Sequence, residues 1–76
     1  KSQTKLELVG APMPGKIVDI LVDTGAKVKE GEAILILEAM KMQNTITAPV
    51  AGTVVAVNFG PGSSVARDDV LAVIKP

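Results

Sequence analysis

Displaced by 37 positions, this sequence lies over itself without a gap. Ala11-Pro12-Met13-Pro14-Gly15 falls on Ala48-Pro49-Val50-Ala51-Gly52, Ile17 and Val18 on Val54 and Val55, and Ile20 on Val57. Gly25 then meets Gly62, Val28 meets Val65, and Ile34, Ile36 and Leu37 meet Leu71, Val73 and Ile74. Glycines, a proline and apolar positions that keep register over 27 residues mark one supersecondary unit used twice.

Each unit reads as strands and turns. Ala-Pro opens an extended segment, because the residue before a proline is pushed towards β geometry. The glycine that follows permits a turn or a close backbone approach. Strands are then expected over Lys16 to Val22 and Thr53 to Phe59, where β-branched residues concentrate, and again over Ala33 to Ala39 and Val70 to Ile74. Val28 and Val65 are short hydrophobic anchors between them. Good helix formers occur between Ala33 and Gln43, but the apolar run Ile34 to Leu37 and the repeat favour a strand. Gly15, Gly25, Gly52 and Gly62 are expected to be turn glycines with positive φ. Two four-stranded halves that cannot bury their apolar faces alone can do so against each other. The expected fold is all-β, a flattened β-barrel or sandwich of two four-stranded sheets with an internal pseudo-twofold repeat.

Seventy-six residues suffice for one domain, and a chain this short hides only about 60% of the surface its unfolded form exposes. Its core must come from branched aliphatics, since Phe59 is the sole aromatic residue. There is no Cys and no His. A disulfide framework, a thiolate metal site and the commonest general base are therefore excluded. No serine-nucleophile setting or phosphate loop is present, which disfavours an autonomous enzyme. Net charge is zero with both signs interspersed, which argues against a nucleic-acid surface. No apolar run approaches the ~20 residues that span a bilayer. Asp68-Asp69 reads as a turn rather than a metal site, and Lys27, Lys29 and Glu30 as a solvated edge. The polar stretch from Lys1 to Lys5 is expected to be the stub of a linker from a longer polypeptide. The expected division is a linker stub and first strand over 1–9 and one domain over 10–76.

One segment stands outside the repeat. Glu38-Ala39-Met40-Lys41-Met42 follows the first unit, and Gln43 to Thr47 is the expected return strand of a hairpin. Its twofold equivalents fall near position 4 and beyond Pro76, so the tip should stand at the opposite pole from the two termini. Tight hairpins favour Asn-Gly or Gly-containing turns because φ is positive at their central positions. Met-Lys suits that backbone badly, and such local conflicts cluster at functional sites. Methionine ordinarily fills core gaps, and a lysine at a hairpin tip is ordinarily a solvated charge. Two methionines around a lysine at the junction of two repeat units outweigh that bland reading.

At these residues the chain closely resembles the biotinyl domains of biotin-dependent carboxylases, decarboxylases and transcarboxylases. Ala39-Met40-Lys41-Met42 reproduces that family's Ala-Met-Lys-Met signature with Glu38 in front, and Ala11-Pro12-Met13-Pro14-Gly15 and Ala48-Pro49…Gly52 match its paired flanking elements. The resemblance runs from about Gly10 to Ile74. It implies a barrel-sandwich hybrid fold and a non-catalytic carrier whose Lys41 receives biotin covalently from a biotin protein ligase. The carrier would shuttle carboxybiotin between biotin carboxylase and carboxyltransferase components. Met40 and Met42 would supply an adaptable partner surface, and Ala39 and Glu38 would flank the recognised lysine. Val22-Asp23-Thr24-Gly25 is too short to hold the protruding loop of some multisubunit acetyl-CoA carboxylase carriers. The resemblance also implies cytoplasmic or mitochondrial-matrix residence, a monomer as the isolated domain, and no nucleic-acid or membrane partner. Lipoyl domains share the two-half fold but usually carry an acidic residue before their lysine, where Met40 stands here. An unmodified adaptor of the efflux-protein kind would lack the Met-Lys-Met tip.

Overall fold

A computed structural model describes residues 5–76, so most of the polar segment read as a linker stub lies outside the described residues. These residues form eight strands and no helix: β1 (Glu7–Gly10), β2 (Gly15–Ile20), β3 (Lys27–Val28), β4 (Ala33–Ala39), β5 (Met42–Thr47), β6 (Gly52–Val57), β7 (Ser64–Val65) and β8 (Val70–Lys75). They make two antiparallel four-stranded sheets, ordered β1-β8-β6-β3 and β5-β4-β2-β7. The expected all-β architecture is present.

The sheets are not the two halves of the sequence. Moving 37 positions along the chain carries β1, β2, β3 and β4 onto β5, β6, β7 and β8, so each sheet takes two strands from each unit. The hydrogen bonds repeat with the sequence. Leu21 N–H donates to the Ile34 carbonyl at 2.8 Å, and Asn58 N–H to that of Leu71 at 2.9 Å. Gly25 donates to Val54 while Gly62 donates to Ile17, and Ala48 donates to Glu32 while Ala11 donates to Asp69. Even the irregularities come in pairs. Register shifts occur between Ile17 and Asp19 opposite β4, and between Val54 and Ala56 opposite β8. These bulges hold one extra residue each and leave Val18 and Val55 exposed.

Four turns carry the chain between strands. Asp23–Ala26, Lys29–Glu32, Gly60–Ser63 and Ala66–Asp69 are each closed by a bond from the fourth N–H to the first carbonyl at 3.0–3.1 Å. Their third residues have φ of 96° at Gly25, 86° at Gly31, 90° at Gly62 and 72° at Asp68, as a type II turn requires. Asp69 Oδ2 also accepts the Ala66 N–H at 2.8 Å, so the Asp68-Asp69 pair is used in a turn.

The expectation for the glycines needs correction at two of four positions. Gly25 and Gly62 have positive φ, whereas Gly15 and Gly52 do not and instead open β2 and β6. Their requirement is space: an added Cβ at Gly15 would lie 2.5 Å from the Glu38 carbonyl oxygen, and one at Gly52 would meet that of Lys75. Strand limits also shift. β2 and β6 begin one residue earlier than expected and stop two earlier, because the chain crosses to the other sheet after Leu21 and Asn58 make their last bonds.

The core lies between the sheets and is wholly apolar among the described residues. Twofold mates are buried together: Ile17 with Val54, Val28 with Val65, Ile34 with Leu71, Leu37 with Ile74, Ala11 with Ala48. Met13, Val50 and Phe59 pack against this cluster from the side.

Candidate functional site

The hairpin between β4 and β5 pairs Ala33 with Thr47, shifts register once between Ala33 and Leu35, and then runs unbroken from Leu35 opposite Ile46 to Ala39 opposite Met42. Only Met40 and Lys41 lie between those last partners, so the loop has two residues. Both are left-handed, with φ of 53° and 65°, the signature of a type I′ turn. The twist of such a turn matches that of its flanking strands, which explains why the pairing continues to the last residue. The sequence conflict expected at Met-Lys is thus present in the backbone.

The side chains sort sharply at this end. Ala39 is 4% exposed, whereas Met40 and Met42 are 87% and 65% exposed. Lys41 is exposed at the apex, and Glu38 is exposed on β4, opposite Lys16 of β2 and Gln43 of β5. Met13, by contrast, is half-buried against the core, which is the ordinary use of the residue. Two large apolar side chains thus stand largely in water on either side of an amine.

The apex stands on packed and paired strand residues. Ala39 is the last inward residue of β4, Leu37 below it is fully buried, and β2 flanks β4 through Lys16 opposite Glu38. The Asn44 amide donates to the Met42 carbonyl at 3.3 Å and steadies the start of the return strand. Gly15 lies directly against Glu38 and Ala39, with no room for a side chain. The sequence reading did not connect Gly15 or Asn44 with the tip. The signal for Gly15 was its place in Ala-Pro-Met-Pro-Gly; Asn44 carried none.

The tip is remote from the outer ends of β1 and β8. Starting beside Glu38, β2 runs away from the tip to Ile20, and the crossing that follows delivers Gly25 to Val54. Val54 pairs with Ile74, and Ile74 with Glu7. Glu7 and Lys75 therefore lie at the far end from Lys41, about 20 Å away along a six-residue strand. The described residues enclose no cavity, and no cluster of three or more potential metal ligands occurs among them. No helix is long and apolar enough to cross a membrane.

Comparison with known proteins places this geometry in context. The family described as Biotin-requiring enzyme (Biotin_lipoyl) matches residues 7–74. The chain is 48% identical over 64 residues to a biotin carboxyl carrier protein of Streptococcus mutans, covering 84% of this chain and 49% of that protein. It is 43% identical over 67 residues to human mitochondrial pyruvate carboxylase, covering 88% of this chain but 6% of that protein. Among solved structures, a single-chain, multi-domain long-chain acyl-CoA carboxylase superposes with a TM-score of 0.86 at 34% identity, over 92% of this chain and 7% of that one. The chain thus spans half or less of the length of these relatives.

Proposed function

The chain belongs to the Biotin_lipoyl family of biotin-requiring enzymes, and we propose that it is a non-catalytic carrier component whose biotin is held covalently on Lys41. The observation behind this assignment is the apex itself: a lone amine, exposed, at the second left-handed position of a two-residue turn. A primary amine on a flexible four-carbon stem is the right donor for an amide to a carboxylic acid. The fit is good, since no neighbouring strand covers the apex and the buried Ala39 and Leu37 keep the hairpin from collapsing around it. When bound, biotin supplies a ureido nitrogen that takes up and releases a carboxyl group. The protein's own part is to hold Lys41 outward, at the far end from Glu7 and Lys75, so that the arm reaches its partners.

The proposed partners are a biotin protein ligase, which supplies activated biotin, and the biotin carboxylase and carboxyltransferase components of a larger carboxylase, decarboxylase or transcarboxylase. Delivery by a tethered module replaces diffusion with an effective concentration set by the tether. Glu38, Ala39, Met40 and Met42 are proposed as the recognised flank of the lysine. Their mixture of one carboxylate, one small buried residue and two adaptable thioethers suits contact with more than one partner. Residues 10–76 are proposed as the carrier domain, with 1–9 as stub and first strand; pairing of Glu7–Gly10 with β8 ties that strand to the domain. We further assign residence in the cytoplasm, or the mitochondrial matrix of a eukaryote, and a monomeric state for the isolated domain.

Incubation with a biotin protein ligase, biotin and ATP tests the assignment directly. The parent chain should shift on a streptavidin gel and Lys41→Arg should not. Since the unmodified chain has a formal net charge of +0 at pH 7, loss of the Lys41 positive charge on modification should also move it towards the anode in isoelectric focusing. An unshifted parent chain, with active ligase shown on a control acceptor, would turn the reading towards a lipoyl or unmodified module.

A further inference from the structure

Beneath the tip, β2 approaches β4 more closely than a side chain allows. A Cβ on Gly15 would stand 2.5 Å from the Glu38 carbonyl oxygen and 3.2 Å from both the Ala39 Cβ and the Leu37 Cδ1. Glu38 and Ala39 are the last two residues before Met40-Lys41, so this approach touches the part of β4 from which the apex hangs. Gly52, the twofold mate, makes the same approach to the Lys75 carbonyl, with Ile74 Cγ2 at 2.8 Å, at the end remote from the tip. Neither glycine has a positive φ, so neither is required for backbone freedom.

We propose that Gly15 is a positioning residue for the modification of Lys41: by presenting no side chain to Glu38 and Ala39 it seats the base of the hairpin and fixes where the amine stands. The inference rests on Lys41 being the modified residue. Any larger residue must drive the Glu38 carbonyl from 2.5 Å to the 3.4 Å of ordinary contact, a shift close to 1 Å. A two-residue apex has no spare length to absorb it. Misplacement of about 1 Å at a reacting group costs on the order of 100-fold in rate. Gly52 carries the same steric demand with no reacting group above it, so the fold supplies its own control.

The test measures kcat and KM of a biotin protein ligase for the parent chain, Gly15→Ala and Gly52→Ala, with melting curves by circular dichroism. Both variants should lose similar stability. At a temperature where all three are folded, Gly52→Ala should be modified like the parent, while kcat/KM for Gly15→Ala falls roughly 10- to 100-fold, mainly through kcat. Equal rates for the two folded variants would overturn the positioning role. Failure of the parent chain to accept biotin on Lys41 would remove the functional reading itself, and this inference with it. If Gly15→Ala does not fold, Leu37→Val and Ile74→Val replace the pair, since these mates are the large apolar side chains packed at the two glycines, 3.2 Å and 2.8 Å from an added Cβ. The first should slow modification several-fold and the second leave it unchanged; equal rates would again overturn the proposal.

Discussion

Met40 and Lys41 hold left-handed backbone angles that neither side chain favours, with φ of 53° and 65°. A residue with a Cβ in this region costs about 1–2 kcal/mol, and asparagine suffers least among non-glycines. Met40→Asn should therefore raise stability by up to about 1 kcal/mol in urea unfolding while removing an exposed thioether. A loss of stability would show that Met40 has a packing role the structure does not contain. Lys41→Arg should leave the far-ultraviolet dichroism and thermal midpoint of the parent, since arginine meets the same left-handed backbone penalty as lysine and the side chain is exposed. Asp68 belongs to the same residue-scale pattern. It occupies the third position of a turn whose twofold mate is Gly31, and its φ of 72° follows that glycine's 86°. The sequence reading took Asp68-Asp69 as a turn but did not use the 37-residue displacement that sets this aspartate on Gly31.

At the scale of strands and turns, the glycines divide by cause, and substitutions should divide with them. Nothing lies within 4 Å of an added Cβ at Gly25, so Gly25→Ala meets only the left-handed penalty and should cost about 1 kcal/mol. Gly52→Val would force a branched side chain into the Lys75 carbonyl and Ile74, and should cost about 2–4 kcal/mol. Chemical unfolding of the two variants checks the order, and a reversal would remove the distinction. The sequence could announce that both positions need glycine but not why. Turn closure is local, whereas the approach at Gly52 depends on β8, which pairs with β6 only in the folded sheet. The bulges at Val18 and Val55 were hidden for a related reason. The repeat aligned the two valines as apolar positions, and only the register shift turns them outward. The hairpin tip was legible because residues unsuited to a tight turn fall at the junction of the two units, where the repeat marks them out.

At the scale of the molecule, the repeat established equivalence but not partnership. A shift of 37 positions relates β4 to β8, yet cannot say that β8 sits between β1 and β6 while β4 sits between β5 and β2. That interleaving has a consequence for folding. Neither unit owns a complete sheet, so residues 1–42 alone should show no β dichroism, and the intact chain should unfold in one cooperative transition. Leu71→Ala, which empties a fully buried site, should lower stability by about 2–5 kcal/mol without splitting that transition. Two separate transitions would mean that the halves fold independently. The same interleaving makes the carrier rigid: the tip rises from one sheet, the outer ends of β1 and β8 lie at the far end of the other, and an apolar core joins them. The most direct test of this presenting arrangement is intact mass and peptide mapping of the chain after coexpression with a biotin protein ligase. A single biotinyl addition on Lys41, with Lys16, Lys27 and Lys29 untouched, is the predicted result. Biotin on another lysine, or no addition beside a fully modified control acceptor, would contradict it.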